Sequence, residues 1–281
     1  MDILHASGSM QARARELKAT GKRIALVPTM GYLHEGHLSL VRIARQHADV
    51  VVLSLFVNPT QFGPGEDLDR YPRDLARDED LCRREGVDIL FVPVASSMYA
   101  SDHTVNVRED TLSRGLCGAS RPGHFGGVLT VVAQLFNLTL PDVAVFGEKD
   151  AQQIRLIRRM VRDLHFPVRI LGATIVREHD GLAMSSRNVN LAPDARAQAT
   201  CLYRSLVAAQ AAFDAGERNV AALEQTVRAV LAEAPLGKID YIAFVDDDSL
   251  APVSIITEPT LIALAVQFPG ARLIDNRTLY P

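Results

Sequence analysis

Two histidines, three positions apart, follow a short apolar run in the stretch IALVPTMGYLHEGHLSLV, residues 24–41. The apolar run is typical of a buried strand, and the residues after the histidines are typical of an amphipathic helix. Such a turn presents free backbone N–H groups and the positive end of the helix dipole, which favour an anion. His34 and His37 add hydrogen-bond donors, and Gly31 and Gly36 allow a ligand close to the backbone. The stretch therefore predicts an anion site.

Two other interpretations of this histidine pair remain. Both side chains can cap or pack against the helix, and we favour an anion site because two histidines and two glycines occur together. A zinc site of the protease type requires His-Glu-x-x-His, whereas the spacing here is one residue shorter and no third ligand is evident.

Two further segments carry groups suited to phosphate. Lys149, in FGEKDAQQ (146–153), follows an apolar run and supplies a point charge. Asp150 and Gln153 equally suit a solvated turn that caps a helix. The stretch MSSR (184–187) offers two hydroxyls and a guanidinium, which can stabilise charge on a leaving group. A plain polar hinge is the alternative for MSSR.

Three further polar residues each have two possible roles. Gln61, in FVNPTQF (56–62), follows an Asn-Pro turn, and its amide suits a ligand with hydroxyls and a carboxylate, although a surface glutamine is the alternative. His124 either faces the cleft or caps the following helix. Asp78 either assists a magnesium ion or forms a surface ion pair, and we favour the ion pair.

The elements that would position these residues alternate along the first two-thirds of the chain. Short apolar runs without polar alternation predict strands that are buried on both faces, and helical patterns separate them. The predicted strands are 24–28, 50–56, 87–92, 143–146 and 168–171, and the predicted helices are 37–47, 72–85, 125–138 and 150–165. In the last helix, Ile154, Ile157, Val161 and Leu164 share a face. This order predicts an α/β fold with a doubly wound, Rossmann-like parallel sheet, whose ligands bind at the carboxyl ends of the strands.

The order of the predicted helices and strands changes after residue 176. Two alanine-rich helices (194–215 and 219–233) precede three strand-like runs (239–245, 260–268 and 272–276) that lack intervening helices. We therefore predict a catalytic domain over 1–176 and a smaller α+β domain over 177–281 that acts as a lid and carries the MSSR loop.

Composition bounds the class of protein. The 281 residues are 48% hydrophobic and carry a net charge of −3, so no general attraction to nucleic acid or anionic membrane is expected. Three scattered cysteines favour reduced thiols. No signal peptide or membrane span is recognised, and we expect a cytoplasmic protein.

Five segments together resemble one family. The HEGH motif is similar to the His-x-Gly-His motif of the nucleotidyltransferase superfamily. In order and spacing, the chain from about residue 24 to 190 closely resembles the pantoate–β-alanine ligases, or pantothenate synthetases. The segments are VPTMGYLHEGH (27–37), FVNPTQF (56–62), RPGHFGGVLTVV (121–132), FGEKDAQQ (146–153) and DGLAMSSRN (180–188).

The resemblance implies a reaction in pantothenate biosynthesis, which supplies the coenzyme A precursor. ATP, pantoate and β-alanine would be substrates, a pantoyl adenylate the intermediate, and AMP and pyrophosphate the products. Mg²⁺ is the expected cofactor, with protein ligands unknown, and a homodimer is expected. A related His-x-Gly-His nucleotidylyltransferase acting on another small substrate is the alternative.

The resemblance also implies roles for particular residues. The catalytic set, with His37 as the proton donor in family usage, is His34, His37, Lys149, Ser185, Ser186 and Arg187. The ATP-binding set is Met30, Gly31, Tyr32, Leu33, His34, Glu35, Gly36, His37, Gly147, Glu148, Lys149, Asp150, Val176, Met184, Ser185, Ser186 and Arg187. The pantoate-binding set is Gln61 and Gln153, with Met30 and Phe62 as apolar walls. Ala151 and Gln134 depart from the family, which often has an aromatic residue and a lysine there.

Overall fold

The computed structural model describes residues 1–281 and divides them into two units. The first unit comprises 1–111, 121–148 and 153–174, and the second comprises 112–120, 149–152 and 175–281. The predicted boundary at residue 176 stays a prediction. No helix combines the length and apolar character needed to cross a bilayer.

A six-stranded parallel sheet organises the first unit. Its strands are β1 (Asp2–Leu4), β2 (Ile24–Thr29), β3 (Val50–Leu55), β4 (Ile89–Phe91), β5 (Val143–Gly147) and β6 (Arg169–Ala173). They lie in the order β1-β4-β3-β2-β5-β6, and all neighbours are parallel. The predicted doubly wound α/β fold is therefore confirmed.

The strand order reverses between β2 and β5. From β2 the chain proceeds through β3 to β4, and it then returns to the other side of β2 to add β5 and β6. The backbones of β2 and β5 pair directly, with Ala25 opposite Val143. In open α/β sheets the crevice at such a reversal, outside the carboxyl ends of the strands, is where ligands bind.

Helices cover this sheet and complete its connections. The helices whose residues lie wholly or mainly in the first unit are α1 (Ser7–Ala19), α2 (Glu35–His47), α3 (Leu75–Arg84), α4 (Ala95–Met98), α6 (His124–Thr139) and α7 (Ala151–Asp163). One face of the sheet packs against α2 through Val27, Leu53, Leu38 and Val41, which are all buried. Apolar burial of this kind supplies most of the free energy that holds the helix on the sheet.

Several predicted elements require correction. The sequence analysis missed β1 and α1, since β1 is a three-residue edge strand and α1 buries only Met10 and Ala14. In α7, Ile154 and Ile157 are buried as predicted, but the helix ends at Asp163 and Leu164 is 53% exposed. Hydrophobic period alone does not determine where a helix ends, because end positions depend on local backbone partners.

The second unit contains an antiparallel sheet and four helices. The strands β7 (Lys238–Asp246), β8 (Thr260–Phe268) and β9 (Ala271–Leu279) lie in that order. The helices are α5 (Cys117–Ser120), α8 (Pro193–Ala199), α9 (Cys201–Asp214) and α10 (Val220–Leu231). The antiparallel sheet is confirmed, whereas the single helix predicted over 194–215 is wrong. Thr200 ends α8 and begins α9, so the chain forms two successive helices there.

A glycine of α6 permits close packing beside the turn at Pro59–Gln61. A Cβ atom at Gly127 would lie 2.6 Å from the amide nitrogen of Gln61, which is backbone and cannot move aside independently. The preceding Gly126 has room, since its nearest neighbour would be the Val107 carbonyl oxygen at 3.9 Å. Of these two glycines of α6, only Gly127 is therefore required by packing.

We expect Gly127→Ala to lower the free energy of unfolding by about 1–3 kcal/mol, the usual cost of overpacking. Gly126→Ala is the matched control, because it should be neutral or stabilising by up to about 1 kcal/mol through helix propensity. Urea unfolding of both variants measures the difference. Equal stability of the two variants would contradict the close packing of α6 on this turn.

Candidate active site

A buried carboxylate shapes the turn that follows β2. Asp78, on α3, accepts hydrogen bonds from the backbone N–H groups of Tyr32 at 2.6 Å and Leu33 at 2.8 Å, and it is 1% exposed. Burial raises the pKa of this carboxyl, and the two N–H groups oppose that rise. The favoured interpretation of Asp78 as a surface ion pair is wrong. Arg77 lies 3.6 Å away, but the main partners are backbone groups.

The same turn contains two consecutive residues in the left-handed region. Gly31 has φ +87° and Tyr32 has φ +51°. A side chain at position 31 would also meet Leu55 Cδ2 at 3.0 Å and Asp78 Oδ2 at 3.2 Å, so glycine is required there. Tyr32 adopts a conformation that is unfavourable for a bulky residue, and its bond to Asp78 compensates for that strain.

His34 and His37 cap the start of α2. The Nδ1 atom of His34 accepts a hydrogen bond from the backbone N–H of Gly36 at 3.2 Å. The backbone N–H of His34 donates to Nδ1 of His37 at 3.3 Å, and the ring centroids are 4.1 Å apart. An accepting Nδ1 carries no proton, so a neutral ring holds its proton on Nε2.

Capping and anion binding are therefore compatible in this pair. The capping role, which the sequence analysis placed second, is present in the structure. It uses the Nδ1 atoms of both rings, so a neutral ring would still carry a proton on Nε2. Glu35 lies between the two histidines but is exposed and pairs with Arg42, whose pKa is raised by hydrogen bonds to Glu85 and Glu35.

Gln61 is held at the carboxyl end of the neighbouring strand β3. It ends a short 3-10 turn, Pro59–Gln61, and is 8% exposed, so the surface alternative is wrong. Its Nε2 donates to the Met30 sulfur at 3.2 Å, and Met30 is the first residue after β2. The structure therefore brings Gln61 and Met30 together. Phe62 follows and packs edge-on against Tyr71, with ring centroids 6.2 Å apart.

His124 supports the backbone of Gln61. It is the first residue of α6, and its Nδ1 donates to the Gln61 carbonyl oxygen at 2.8 Å. Arg121 donates to its Nε2 at 3.0 Å and forms an ion pair with Glu66 at 2.6 Å. The capping role considered for His124 is wrong, because its two ring nitrogens bond to the Gln61 turn and to Arg121. The cleft-facing role stays a prediction.

Candidate site residues also follow the carboxyl end of β5, as they follow those of β2 and β3. Gly147 is its last residue, and Glu148 follows with an ion pair to Arg158 at 3.1 Å. Gln153 lies half-buried on α7. These residues leave the sheet beside β2, at the reversal in strand order described above.

Lys149 belongs to the second unit, with Asp150. The Lys149 carbonyl oxygen accepts a hydrogen bond from Asn276 Nδ2, on β9, at 2.9 Å. Ala151 is buried against Val245, Leu261 and Ala263. At position 151, where the family often has an aromatic residue, the small side chain of Ala151 is buried in this cluster.

The segment that contains MSSR leaves a small hairpin of the second unit. Val176 accepts a hydrogen bond at its carbonyl oxygen from the Met184 N–H at 3.0 Å, and Arg177 bridges to Ala183. Ser185 then caps a 3-10 turn, Ser186–Asn190, through a bond from the Arg187 N–H at 3.3 Å. The segment 184–187 is thus the start of a short helical turn as well as a connection.

Ion pairs hold this hairpin in place. Arg177 binds the buried carboxylate of Asp275 with two bonds, at 2.7 and 3.0 Å. Arg196 binds Glu178 and Asp180, each at 2.7 Å, and its hydrogen bond lowers the pKa of Asp180. These ion pairs therefore anchor the hairpin that leads to MSSR.

No cysteine is arranged as a nucleophile in these segments. All three cysteines are free thiols and buried. Burial raises the pKa of Cys82 to about 12 and that of Cys201 to about 11, which keeps these two thiols protonated at neutral pH.

Sequence reasoning missed three residues that support the site: Asn58, Asp78 in its backbone role, and Asn276. Asn58 was considered only as part of a turn, although its position between a strand and Gln61 was a usable signal. Asp78 and Asn276 gave no sequence signal, because their backbone partners lie 45 or more residues away along the chain.

Comparison with known proteins now identifies the family. The model of the family described as pantoate-beta-alanine ligase matches residues 2–278. A pantothenate synthetase of Citrifermentans bemidjiense is 53% identical over 279 residues, which cover 99% of each chain. That of Geobacter sulfurreducens is also 53% identical with the same coverage.

Solved structures agree. A pantothenate synthetase from Thermus thermophilus matches with a TM-score of 0.95 and 46% identity over 100% of both chains. A pantoate-beta-alanine ligase from Francisella tularensis, described as complexed with beta-gamma ATP and beta-alanine, matches with a TM-score of 0.81 and 32% identity. It covers 99% of this chain and 97% of that one.

The fold is that of a doubly wound α/β enzyme, and in such sheets ligands bind at the reversal in strand order. The predictions of the fold class and of a ligase are confirmed. This chain belongs to the pantoate–β-alanine ligase family.

We expect Asp78→Asn to destabilise the protein by about 1–3 kcal/mol, because the amide Nδ2 would face a backbone N–H and leave it unsatisfied. The free energy of unfolding of the wild type should rise relative to that of the variant as the pH falls towards 3.8, the ordinary pKa of an aspartate. The raised pKa means that the ionised carboxyl is disfavoured in the folded state, and protonation removes that cost. Denaturant unfolding between about pH 4 and 7 measures both effects.

Asp80→Asn is the control, since Asp80 lies on the same helix and its side chain is 54% exposed. If the difference in free energy of unfolding between Asp78→Asn and wild type did not change with pH, the conclusion that burial raises the pKa of Asp78 would be contradicted.

Proposed function

We propose that this chain condenses pantoate with β-alanine at the expense of ATP, forming pantothenate, AMP and pyrophosphate. One observation carries the proposal beyond family membership. The histidine pair caps α2 through Nδ1, beside the reversal in strand order, so each neutral ring carries its proton on Nε2, the atom that would donate to a phosphate oxygen.

In the first step a pantoate carboxylate oxygen attacks the α-phosphorus of ATP. The bond to the bridging oxygen of the β-phosphate breaks, pyrophosphate leaves, and pantoyl adenylate remains. Charge grows on the α-phosphate and on the leaving group, so donors that are already in place lower the barrier. His34 and His37 serve the α-phosphate, and Lys149 with residues 185–187 serves the pyrophosphate.

In the second step the uncharged amine of β-alanine attacks the acyl carbon of the adenylate. The bond between the acyl carbon and the phosphate oxygen breaks, AMP leaves, and the nitrogen loses its extra proton to water. Family usage names His37 as proton donor. The neutral ring of His37 would donate a hydrogen bond from Nε2–H without transferring the proton, and that bond would stabilise the phosphate that departs with AMP.

The remaining site residues hold the substrates. Gln61 and Gln153 bind pantoate, while Met30 and Phe62 contact its two methyl groups. The ATP-binding set contains the residues after β2, those after β5, and Val176 with 184–187. The reaction needs no covalent enzyme intermediate. Much of its rate enhancement comes from holding the two small molecules in the geometry in which they react.

Mg²⁺ is proposed to enter with ATP. No group of three or more His, Cys, Asp or Glu side chains is arranged to hold a metal ion in the structure. Oxygen ligands from phosphates and water suit Mg²⁺ without a dedicated protein cage, so the chemistry fits. When bound, the ion would neutralise phosphate charge, and Lys149 and Arg187 would share that task.

Location and assembly complete the proposal. We propose a cytoplasmic homodimer that acts on small molecules and has neither nucleic acid nor membrane as a partner. Within each chain, residues 1–176 would bind ATP and pantoate, and residues 177–281 would act as a lid. A nucleotidylyltransferase acting on another small substrate is the competing function.

The decisive experiment follows pyrophosphate and AMP release from ATP, first with pantoate alone and then with added β-alanine. The proposed ligase releases pyrophosphate only with pantoate, and sustained AMP formation begins only when β-alanine is present. Pyrophosphate release that is indifferent to both substrates would favour the nucleotidylyltransferase.

We expect His37→Ala to slow adenylate formation at least about tenfold, or roughly 1.4 kcal/mol of barrier. His37→Asn separates the two roles of this ring, because its Oδ1 can still accept the His34 N–H while the Nε2 donor is lost. It should keep wild-type thermal stability and lose activity. His47→Ala, at the other end of α2, is the control, and full turnover by His37→Asn would exclude the donor role.

We expect Lys149→Ala to raise the KM for ATP by about tenfold or more while pantoate saturation changes little, because a lost charged hydrogen bond is worth about 1.5–3 kcal/mol. Lys149→Arg, which retains the charge, should recover part of the effect. Initial rates across an ATP series provide the measurement. An unchanged KM for ATP would support the solvated-turn interpretation.

A further inference from the structure

Asn58 links the side chain of Gln61 to the backbone, and it is only 1% exposed. Its Nδ2 donates to the Gly127 carbonyl oxygen at 3.1 Å, and its Oδ1 accepts the Thr60 N–H at 3.3 Å. A carbonyl can only accept and an N–H can only donate. The oxygen and the nitrogen of an amide have similar shapes, but these two backbone partners determine which end of the Asn58 amide is the nitrogen.

The orientation of the Asn58 amide determines the orientation of the Gln61 amide. The same Nδ2 of Asn58 donates to Oε1 of Gln61 at 3.1 Å. The end of the Gln61 amide that faces Asn58 must therefore be oxygen, and the opposite end must be nitrogen. That nitrogen is the atom 3.2 Å from the Met30 sulfur, at the carboxyl end of β2. The oxygen points towards buried Asn58, and the nitrogen points towards the candidate site.

Tyr99 reinforces this arrangement from the far side of Asn58. Its hydroxyl donates to Asn58 Oδ1 at 2.7 Å, and Thr60 Oγ1 donates to the same atom at 2.9 Å. The Tyr99 ring packs against Phe56 and His103, with centroids 6.4 and 5.1 Å away. Burial raises the pKa of Tyr99, so its hydroxyl remains a donor at every pH used for assay.

We propose that Gln61 presents its N–H groups, and not its carbonyl oxygen, to the substrate, and that Tyr99 is a positioning residue that holds this orientation through Asn58. The inference deepens the proposed function and rests on it. An N–H donor binds carboxylate or hydroxyl oxygens. Gln61 therefore holds an oxygen-bearing end of pantoate, and in the second step the carboxylate of β-alanine, while the amine of β-alanine stays away from it.

Two substitutions at Gln61 separate a donor from an acceptor. Gln61→Ala removes the whole amide, and we expect the KM for pantoate to rise about tenfold, as for the loss of one hydrogen bond to a charged group. Gln61→Glu keeps an oxygen towards Asn58 but turns a second oxygen towards the substrate. At about pH 8 an ordinary glutamate, with a pKa near 4.3, is ionised, so it should repel a carboxylate.

The order of the two variants decides the result. The donor role predicts a KM for pantoate at least about tenfold higher in Gln61→Glu than in Gln61→Ala, since repulsion adds to the lost bond. An acceptor role predicts the reverse order, because a carboxylate accepts better than an amide. A KM for pantoate in Gln61→Glu that is equal to or lower than the KM in Gln61→Ala, beside a wild type that shows pantoate-dependent pyrophosphate release, overturns the inference alone. Absence of that release in wild type overturns the proposed function and the inference with it.

Tyr99→Phe tests the positioning role. It keeps the ring and removes one donor to Asn58, so the KM for pantoate should rise about three- to tenfold, as for one neutral hydrogen bond. The KM for ATP should stay within about twofold, a split that a general loss of structure would not produce. Tyr280→Phe, at a tyrosine that is 70% exposed, is the matched control. Equal changes in both KM values, or none in either, would exclude Tyr99 as a positioning residue.

Discussion

The candidate site of the first unit depends on one buried carboxylate. Asp78 reaches from α3 to the backbone of Tyr32 and Leu33, and it binds the two N–H groups that the turn after β2 leaves without helical partners. Gly31 and Tyr32 are both left-handed, so this turn would be strained without such support. The start of α2, and hence the direction of both histidine rings, follows from that turn.

The histidine pair shows how one residue can serve structure and chemistry through different atoms. Backbone N–H groups occupy Nδ1 of His34 and of His37, and this selects the tautomer that carries its proton on Nε2. The helix start is satisfied and the donors are oriented by the same bonds. His124 holds the opposite tautomer, because its Nδ1 donates to the Gln61 carbonyl oxygen. Fixed backbone groups thus set the hydrogen-bonding state of the rings that surround the strand ends.

The predictions from sequence succeeded where burial left a clear pattern. The central strands β2, β3 and β5 are buried on both faces, so continuous apolar runs identified them within one or two residues. Helix α1 was missed because only Met10 and Ala14 are buried, and most of the remaining positions are polar or charged. The break at Thr200 was missed because the alanine-rich sequence favours helix on both sides of it.

By itself the sequence determined the fold class, the family and the segments that carry reactive groups, since these depend on residue types and on spacings along the chain. Tertiary structure decided what holds those groups. Asp78 lies 45 residues from Leu33, Gly127 lies 69 from Asn58, and Asn276 lies 127 from Lys149, so no local pattern joins them. A hydrogen bond to a backbone group places no demand on the partner's side chain. Such supports become visible only when the folded chain brings the two segments together.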